Sequence, residues 1–212
     1  MSLQRRLVKV LGFLSAALLV NAATSPAEAY FSVLDTGDVI PPGSYQALLA
    51  PQVILTNYDG FNAVGMFDVG LTEETSARAL LGFGKVDYQI GGMYKWIPFP
   101  DVGNQPAIGG QAGVILARVN GDTQFSLRFN PLVSKRLETE IGDITPFVSL
   151  PIGFTTYRNE TYVPVQLVGG SEFTPIDMKN ISFLAELGIN VSRAFGYISG
   201  AVAWRFDELE TR

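Results

Sequence analysis

The chain has no histidine and no cysteine in its 212 residues. Without histidine there is no Ser-His-Asp triad and no imidazole base. Without cysteine there is no thiolate nucleophile and no disulfide. The two absences together remove most zinc, haem and iron–sulfur ligation. Charge is scarce too: 17% of residues are Asp, Glu, Lys or Arg, against about 25% in ordinary soluble domains. The balance is acidic, 15 Lys+Arg against 20 Asp+Glu, which argues against a nucleic-acid partner. Beyond residue 29 no stretch is long and apolar enough to cross a membrane as a helix. The expectation is a chain without cofactor or catalytic group, held together by pairing and packing.

What is present begins with a leader. Arg5, Arg6 and Lys9 form a basic start, "VLGFLSAALLVNAA" is an apolar stretch, and Ala27-Glu28-Ala29 is a small-x-small cleavage site before Tyr30. That order is a secretory signal peptide over residues 1–29. Its removal takes Arg5, Arg6, Lys9 and Glu28 with it and leaves 12 Lys+Arg against 19 Asp+Glu, a net of −7. Residues 30–43, with their Pro and Gly, read as a periplasmic lead-in. Residues 44–206 hold the strand patterns, and 207–212 are a tail.

The alternation is clearest in "ISFLAELGINVSRAFGYISGAVAWRF", residues 181–206. Ile181, Phe183, Ala185, Leu187, Ile189 and Val191 share one face; Ser182, Leu184, Glu186, Gly188, Asn190 and Ser192 share the other. After the turn "SRAFG", Ile198, Gly200, Val202, Trp204 and Phe206 again fall together. A period of two is a strand period, and a helical period would mix Glu186 into the apolar set. The same scheme recurs from Tyr45 onwards. "TQFSLRFNPLV" sets Phe125, Leu127, Phe129 and Val133 against Gln124, Ser126, Arg128 and Asn130. About ten strands result, joined by short turns such as "NGD" and "RNE". That spacing predicts an all-β, antiparallel up-and-down barrel. Pro51 and Pro151 interrupt two of the strands, because proline has no ladder donor.

The apolar face is dense and carries aromatics near strand ends: Tyr45, Phe61, Phe83, Tyr88, Trp96, Phe125, Phe154, Phe183, Trp204 and Phe206. The other face is Gln, Asn, Ser, Thr and Gly with few charges. A soluble barrel would turn the apolar face inward and cover its exterior with Lys and Glu. The scarcity of charge favours the inverse, a transmembrane β-barrel with those aromatics as lipid-facing girdles. The inward charged set is then Asp68, Arg78, Lys95, Arg128, Glu172, Glu186 and Arg205. Four positive and three negative groups read either as a selectivity lining or, preferably, as a paired network filling a small lumen, since an unpaired buried charge is costly. Asp68 and Arg78 flank one short turn on the same face and are expected to pair.

The leader, the cysteine-free mature chain and segments such as "VGLTEETSARALLGFG", "DITPFVSLPIGF" and "GYISGAVAWRF" resemble the small bacterial outer-membrane β-barrel proteins. The resemblance covers most of the mature chain. It implies residence in the outer membrane, with outer-membrane lipid and the barrel assembly machinery as partners, and a structural or narrow passive-permeation role for an unidentified small solute. Family members often end on an aromatic residue; Phe206 fits that place, but "DELETR" follows it. The competing reading is a soluble, lipocalin-like periplasmic carrier of a hydrophobic ligand.

Two further motifs have chemical readings. Asp35-Thr36-Gly37 matches the D-T-G of aspartic proteases, which need a second carboxylate to share a proton; no second D-T-G exists, so a turn is the simpler reading. Asp35, Asp38, Glu73 and Glu74 offer oxygen ligands for calcium without a recognisable ligand spacing.

Overall fold

The computed structural model describes residues 32–55 and 60–207. The assigned leader and its cleavage site, and all of the assigned tail except Asp207, lie outside the described residues. The described chain is all-β, with no helix.

Thirteen strands form one closed antiparallel wall. β1 (Ser44–Ile54), β2 (Gly60–Thr72), β3 (Thr75–Gly84), β4 (Tyr88–Phe99), β5 (Ala107–Val119) and β6 (Asp122–Ser134) follow one another as a meander. β6 is prolonged by β7 (Leu137–Thr139), and the next wall position is shared by β8 (Gly142–Ser149) and β9 (Ile152–Tyr157). β10 (Glu160–Tyr162) and β11 (Val165–Pro175) share another. β12 (Ile181–Ser192) and β13 (Tyr197–Asp207) complete the circle, and β13 pairs with β1 from Ser44↔Asp207 to Ile54↔Tyr197. The wall therefore has the ten positions that the alternation predicts.

The divisions leave the registers continuous, and two of the three have the same cause. A single register runs from Gln124↔Tyr157 through Leu132↔Ser149 to Thr139↔Gly142, and another from Glu160↔Tyr157 to Pro175↔Gly142. Pro151 separates β8 from β9, and Pro164 separates β10 from β11. Each withholds one ladder donor, but its carbonyl still accepts: Gln166 N–H bonds Pro151 O at 3.0 Å, and Gly153 N–H bonds Pro164 O at 3.3 Å. Pro51 stays inside β1, opposite Ala63. Two hairpins close on two-residue turns in the left-handed region, Asn120-Gly121 (φ 52° and 84°) and Arg158-Asn159 (φ 50° and 65°). Both central residues at positive φ match the right-handed twist of the strands they join.

The outer face is the apolar one. Leu49, Phe61, Trp96, Phe129, Phe154, Leu187, Ile198 and Trp204 are all exposed, while their neighbours one residue on are buried or half-buried. This is the inside-out order of a transmembrane β-barrel. The inner face differs from the thin polar lining expected of it. Toward the mouth formed by the turns at 120–121 and 158–159, Ala50, Ile54, Val64, Met66, Leu80, Met93, Ile115, Val119, Tyr157, Tyr162 and Leu184 form one buried apolar cluster. An isolated Leu or Met on a polar face reads as noise in a single strand. Nine of the ten wall positions bring such residues together, where they exclude water from each other. Toward the other mouth, where β1 begins and β13 ends, the interior is polar and charged.

A plugged lumen as the candidate functional site

The described part of the lead-in, residues 32–43, does not stand outside the barrel. It enters by the terminal mouth and runs inward. Val33, Leu34 and Thr36 are almost wholly buried, and Leu34 belongs to the apolar cluster of the interior. The segment turns into β1 through Pro41, Pro42 and Gly43, with Ser44 N–H bonding Pro41 O at 3.0 Å and Gly43 at φ 79°. It passes so close to β2 that a Cβ at Gly70 would meet the carbonyls of Ile40 and Pro41, and one at Gly37 would meet Ala107 of β5. Those two glycines make room for the plug.

The wall holds the plug with side chains. Glu186 of β12 accepts the N–H groups of Val33 and Leu34 at 2.8 and 2.7 Å, and the hydroxyl of Tyr197 at 2.8 Å. The Tyr197 ring lies across Gly188, where a Cβ would collide with it. Arg78 of β3 donates through Nε and Nη2 to both oxygens of Asp68, at 2.6 and 2.8 Å, and through Nη1 to Val33 O at 2.8 Å. Asp35 is bound by Lys95 at 2.8 Å and by the Gln111 amide, with Arg78 at 3.6 Å. Thr36 Oγ1 donates to Glu172 at 3.2 Å, and Gly37 N–H donates to Ser134 Oγ at 2.8 Å. At the mouth Asp38 pairs with Arg136, and its carbonyl accepts from Lys95.

Of the charged residues assigned inward, Asp68, Arg78, Lys95, Arg128, Glu172 and Glu186 are buried and Arg205 is half-buried. Asp68 and Arg78 are register partners and form the expected pair. Arg78, Lys95, Glu172 and Glu186 meet on the plug rather than on one another. Arg128 lies beside them and donates to Asn130 at 2.8 Å, which in turn donates to Gln111 at 3.2 Å. Arg205 stands nearer the mouth, with Nη2 3.5 Å from Gln46. Phe61, Phe83, Tyr88, Trp96, Phe125, Phe154, Phe183 and Trp204 point outward and are exposed. Tyr45 and Phe206 also point outward but are half-buried, because they stack on each other at 5.8 Å and on Phe67 at 5.9 and 6.2 Å.

Sequence reasoning missed Asp35, Gln111, Ser134 and Tyr197. One signal for Asp35 was present: a lining with four cations and three carboxylates is one negative charge short, and Asp35 supplies it. The D-T-G motif thus has a structural use. Its Asp is salt-bridged and its Thr and Gly are hydrogen-bonded to the wall. Asp35 and Asp38, two of the calcium candidates, have their carboxylates on Lys95, Arg78 and Arg136.

Beside the plug the terminal mouth has two open cavities. One of about 400 Å³ is lined by Asp38, Arg136, Asp143, Glu172, Lys179 and Arg205. The other, about 630 Å³, lies between Val39, Glu73, Asp101, Lys135 and Glu138. Residues 100–106 fold over the second and are tied down by Lys135, which pairs with Asp101 and donates to Gly103 O at 2.6 Å. Partial burial opposes ionisation of Asp101. The Lys135 hydrogen bond, the Arg136 N–H and both positive charges outweigh it and hold the carboxyl below its ordinary range.

No protein-family model and no curated protein matches the chain. Solved structures similar to it include an outer membrane channel from Pseudomonas putida F1 (8% identity, 84% of this chain and 100% of that one, TM-score 0.45). The translocator domain of the autotransporter NalP from Neisseria meningitidis is also similar (12% identity, 96% and 95%, TM-score 0.42). So is a de novo designed transmembrane β-barrel (11% identity, 79% and 99%, TM-score 0.40). At these scores the likeness is one of general architecture, and no activity is carried over from it.

Proposed function

We propose that this chain is an integral outer-membrane β-barrel with a structural, closed role, exported by its leader and inserted by the barrel assembly machinery. The observation that carries the reading is the facing of the wall. A belt of large apolar side chains is exposed on the outside, and Asp68, Arg78, Lys95, Arg128, Glu172 and Glu186 of the same strands are buried within. In water such a belt far exceeds the few hundred Å² that soluble monomers leave uncovered, whereas in lipid it is the required exterior. The lipocalin-like alternative needs the apolar face turned inward around a ligand cavity. Here the interior is taken up by the plug and by the Leu34 cluster. The same filling favours a structural role over passive permeation, and the absence of histidine and cysteine favours a role without catalysis. Cell fractionation tests the reading. The mature chain is expected in the outer-membrane fraction, soluble only with detergent, and faster on gels before boiling than after. Recovery in a detergent-free periplasmic extract would overturn it.

A further inference from the structure

The plug is held in an unusual way for a piece of a β-barrel. Among the described residues, none of 32–43 pairs with a wall strand. Its contacts are those of a bound ligand. One carboxylate takes two successive backbone N–H groups, and one guanidinium takes a backbone carbonyl. Ser134 takes a further N–H. These contacts read a main chain that bends at Leu34, where φ is 38°, so that two successive N–H groups reach one carboxylate. Two side chains are recognised by charge, Asp35 through Lys95, Gln111 and Arg78, and Asp38 at the mouth through Arg136.

The receptor side is built independently of the plug. Asp68 holds Arg78 by a bidentate pair, Tyr197 holds Glu186, and the Arg128–Asn130–Gln111 chain holds the amide that reaches Asp35. Such wall-to-wall bonds fix the side chains in their binding rotamers, so little ordering is left for a ligand to cause. The segment's one covalent link to the wall is the turn into β1, and the cavities of about 400 and 630 Å³ on either side of Asp38 leave the mouth open beside its stem.

We propose that the lumen is a binding site for an acidic peptide bent as this segment is at Leu34, occupied in the resting chain by its own residues 33–38. A segment tethered by a few residues competes at an effective concentration on the order of millimolar. A free peptide therefore gains access only when it is in excess or when the tethered copy is weakened. The partner chemistry is a bent segment with a carboxylate on the residue immediately after the amide pair that Glu186 receives. The cis segment then acts as a competitive occupant.

The test uses the full chain in detergent, where the outcome does not depend on the membrane in which the cell places the barrel. A labelled peptide with the sequence of residues 32–38 is titrated by anisotropy against wild type and against Asp35→Asn. The Asp35→Asn chain is expected to bind it at least tenfold more tightly than wild type, and tenfold more tightly than a control peptide carrying Asn in place of the Asp. Lys95→Met added to Asp35→Asn should abolish the gain. Equal binding by both chains, or of both peptides, overturns the proposal. Should Asp35→Asn fail to fold, Thr36→Cys decides. Millimolar peptide should raise its labelling by a thiol reagent at least tenfold, and an unchanged rate overturns the proposal.

Discussion

Leu187 and Gly188 are neighbours in β12 with opposite surroundings. Leu187 is 44% exposed on the outer face, whereas Gly188 faces inward under the Tyr197 ring. Leu187→Arg is therefore expected to destabilise the barrel in lipid by about 2–4 kcal/mol, with Leu187→Gln milder. Refolding titrations in lipid vesicles measure it, and a harmless Leu187→Arg would mean the outer face does not meet lipid. Inside, Arg78 is the residue whose loss should cost most, because it neutralises Asp68 and holds the plug backbone together. Arg78→Met leaves Asp68 charged and buried, at a cost of about 3–5 kcal/mol. Arg78→Met with Asp68→Leu should recover part of that loss, since the uncompensated charge is gone while the plug carbonyl still lacks its donor. Denaturation of the two single variants and the double variant separates the two effects.

At the scale of elements, the wall strands and the mouth loops are stabilised differently. Strands draw on ladders all round the circle. The prolines at 151 and 164 interrupt them without shifting the register between the β8–β9 and β10–β11 positions, whereas against β12 the register shifts by one between Val165 and Gln166. The loop over residues 100–106 depends on one cation, Lys135, and on the ionisation of Asp101. Because the folded-state value of Asp101 lies below its ordinary 3.8, its contribution is fully present above about pH 4 and is lost as the pH falls through the lower folded value. Hydrogen exchange over residues 100–106 should therefore be unchanged between pH 7 and 5, after correction for the intrinsic rate, and should rise sharply in stronger acid. Lys135→Met should produce the open loop already at pH 7. A loop equally protected in acid would show that other contacts hold it.

For the whole molecule, the interior is closed in two layers of different chemistry. Near the terminal mouth a charged lining is satisfied by the plug; toward the far mouth apolar side chains from nine of the ten wall positions meet around Leu34, interleaved with the buried Gln52, Gln89, Gln124 and Gln166. Purified protein in planar bilayers is expected to show no large, porin-like conductance. Asp35→Lys, which sets a cation against Lys95 and Arg78, should loosen the plug yet leave conductance small, because the apolar layer remains. A large stable conductance in wild type would show the lumen to be open; one in Asp35→Lys alone would show the plug to be the sole seal.

The sequence by itself determined the wall. A period of two repeated ten times, with scarce charge and aromatics on the apolar side, leaves little freedom, because a slip of one residue would exchange the two faces of a strand. It also pointed to the Asp68–Arg78 pair, two residues flanking a short turn on one face, although the register shift between Gly70 and Thr72 is what makes them direct partners. The plug was not legible in the same way. Residues 32–43 have no period, and Asp35-Thr36-Gly37 reads locally as a turn. Its role comes from Glu186, Arg78, Lys95 and Gln111, which are far from it in sequence and reach one point only when the sheet closes on itself. The apolar layer has the same origin. Leu48, Val64, Met66, Met93 and Leu184 are scattered exceptions on their own strands; register sets Leu48 opposite Met66, and the closed wall gathers them with Met93 and Leu184 into one cluster, where burial against each other stabilises what each strand alone would leave in water.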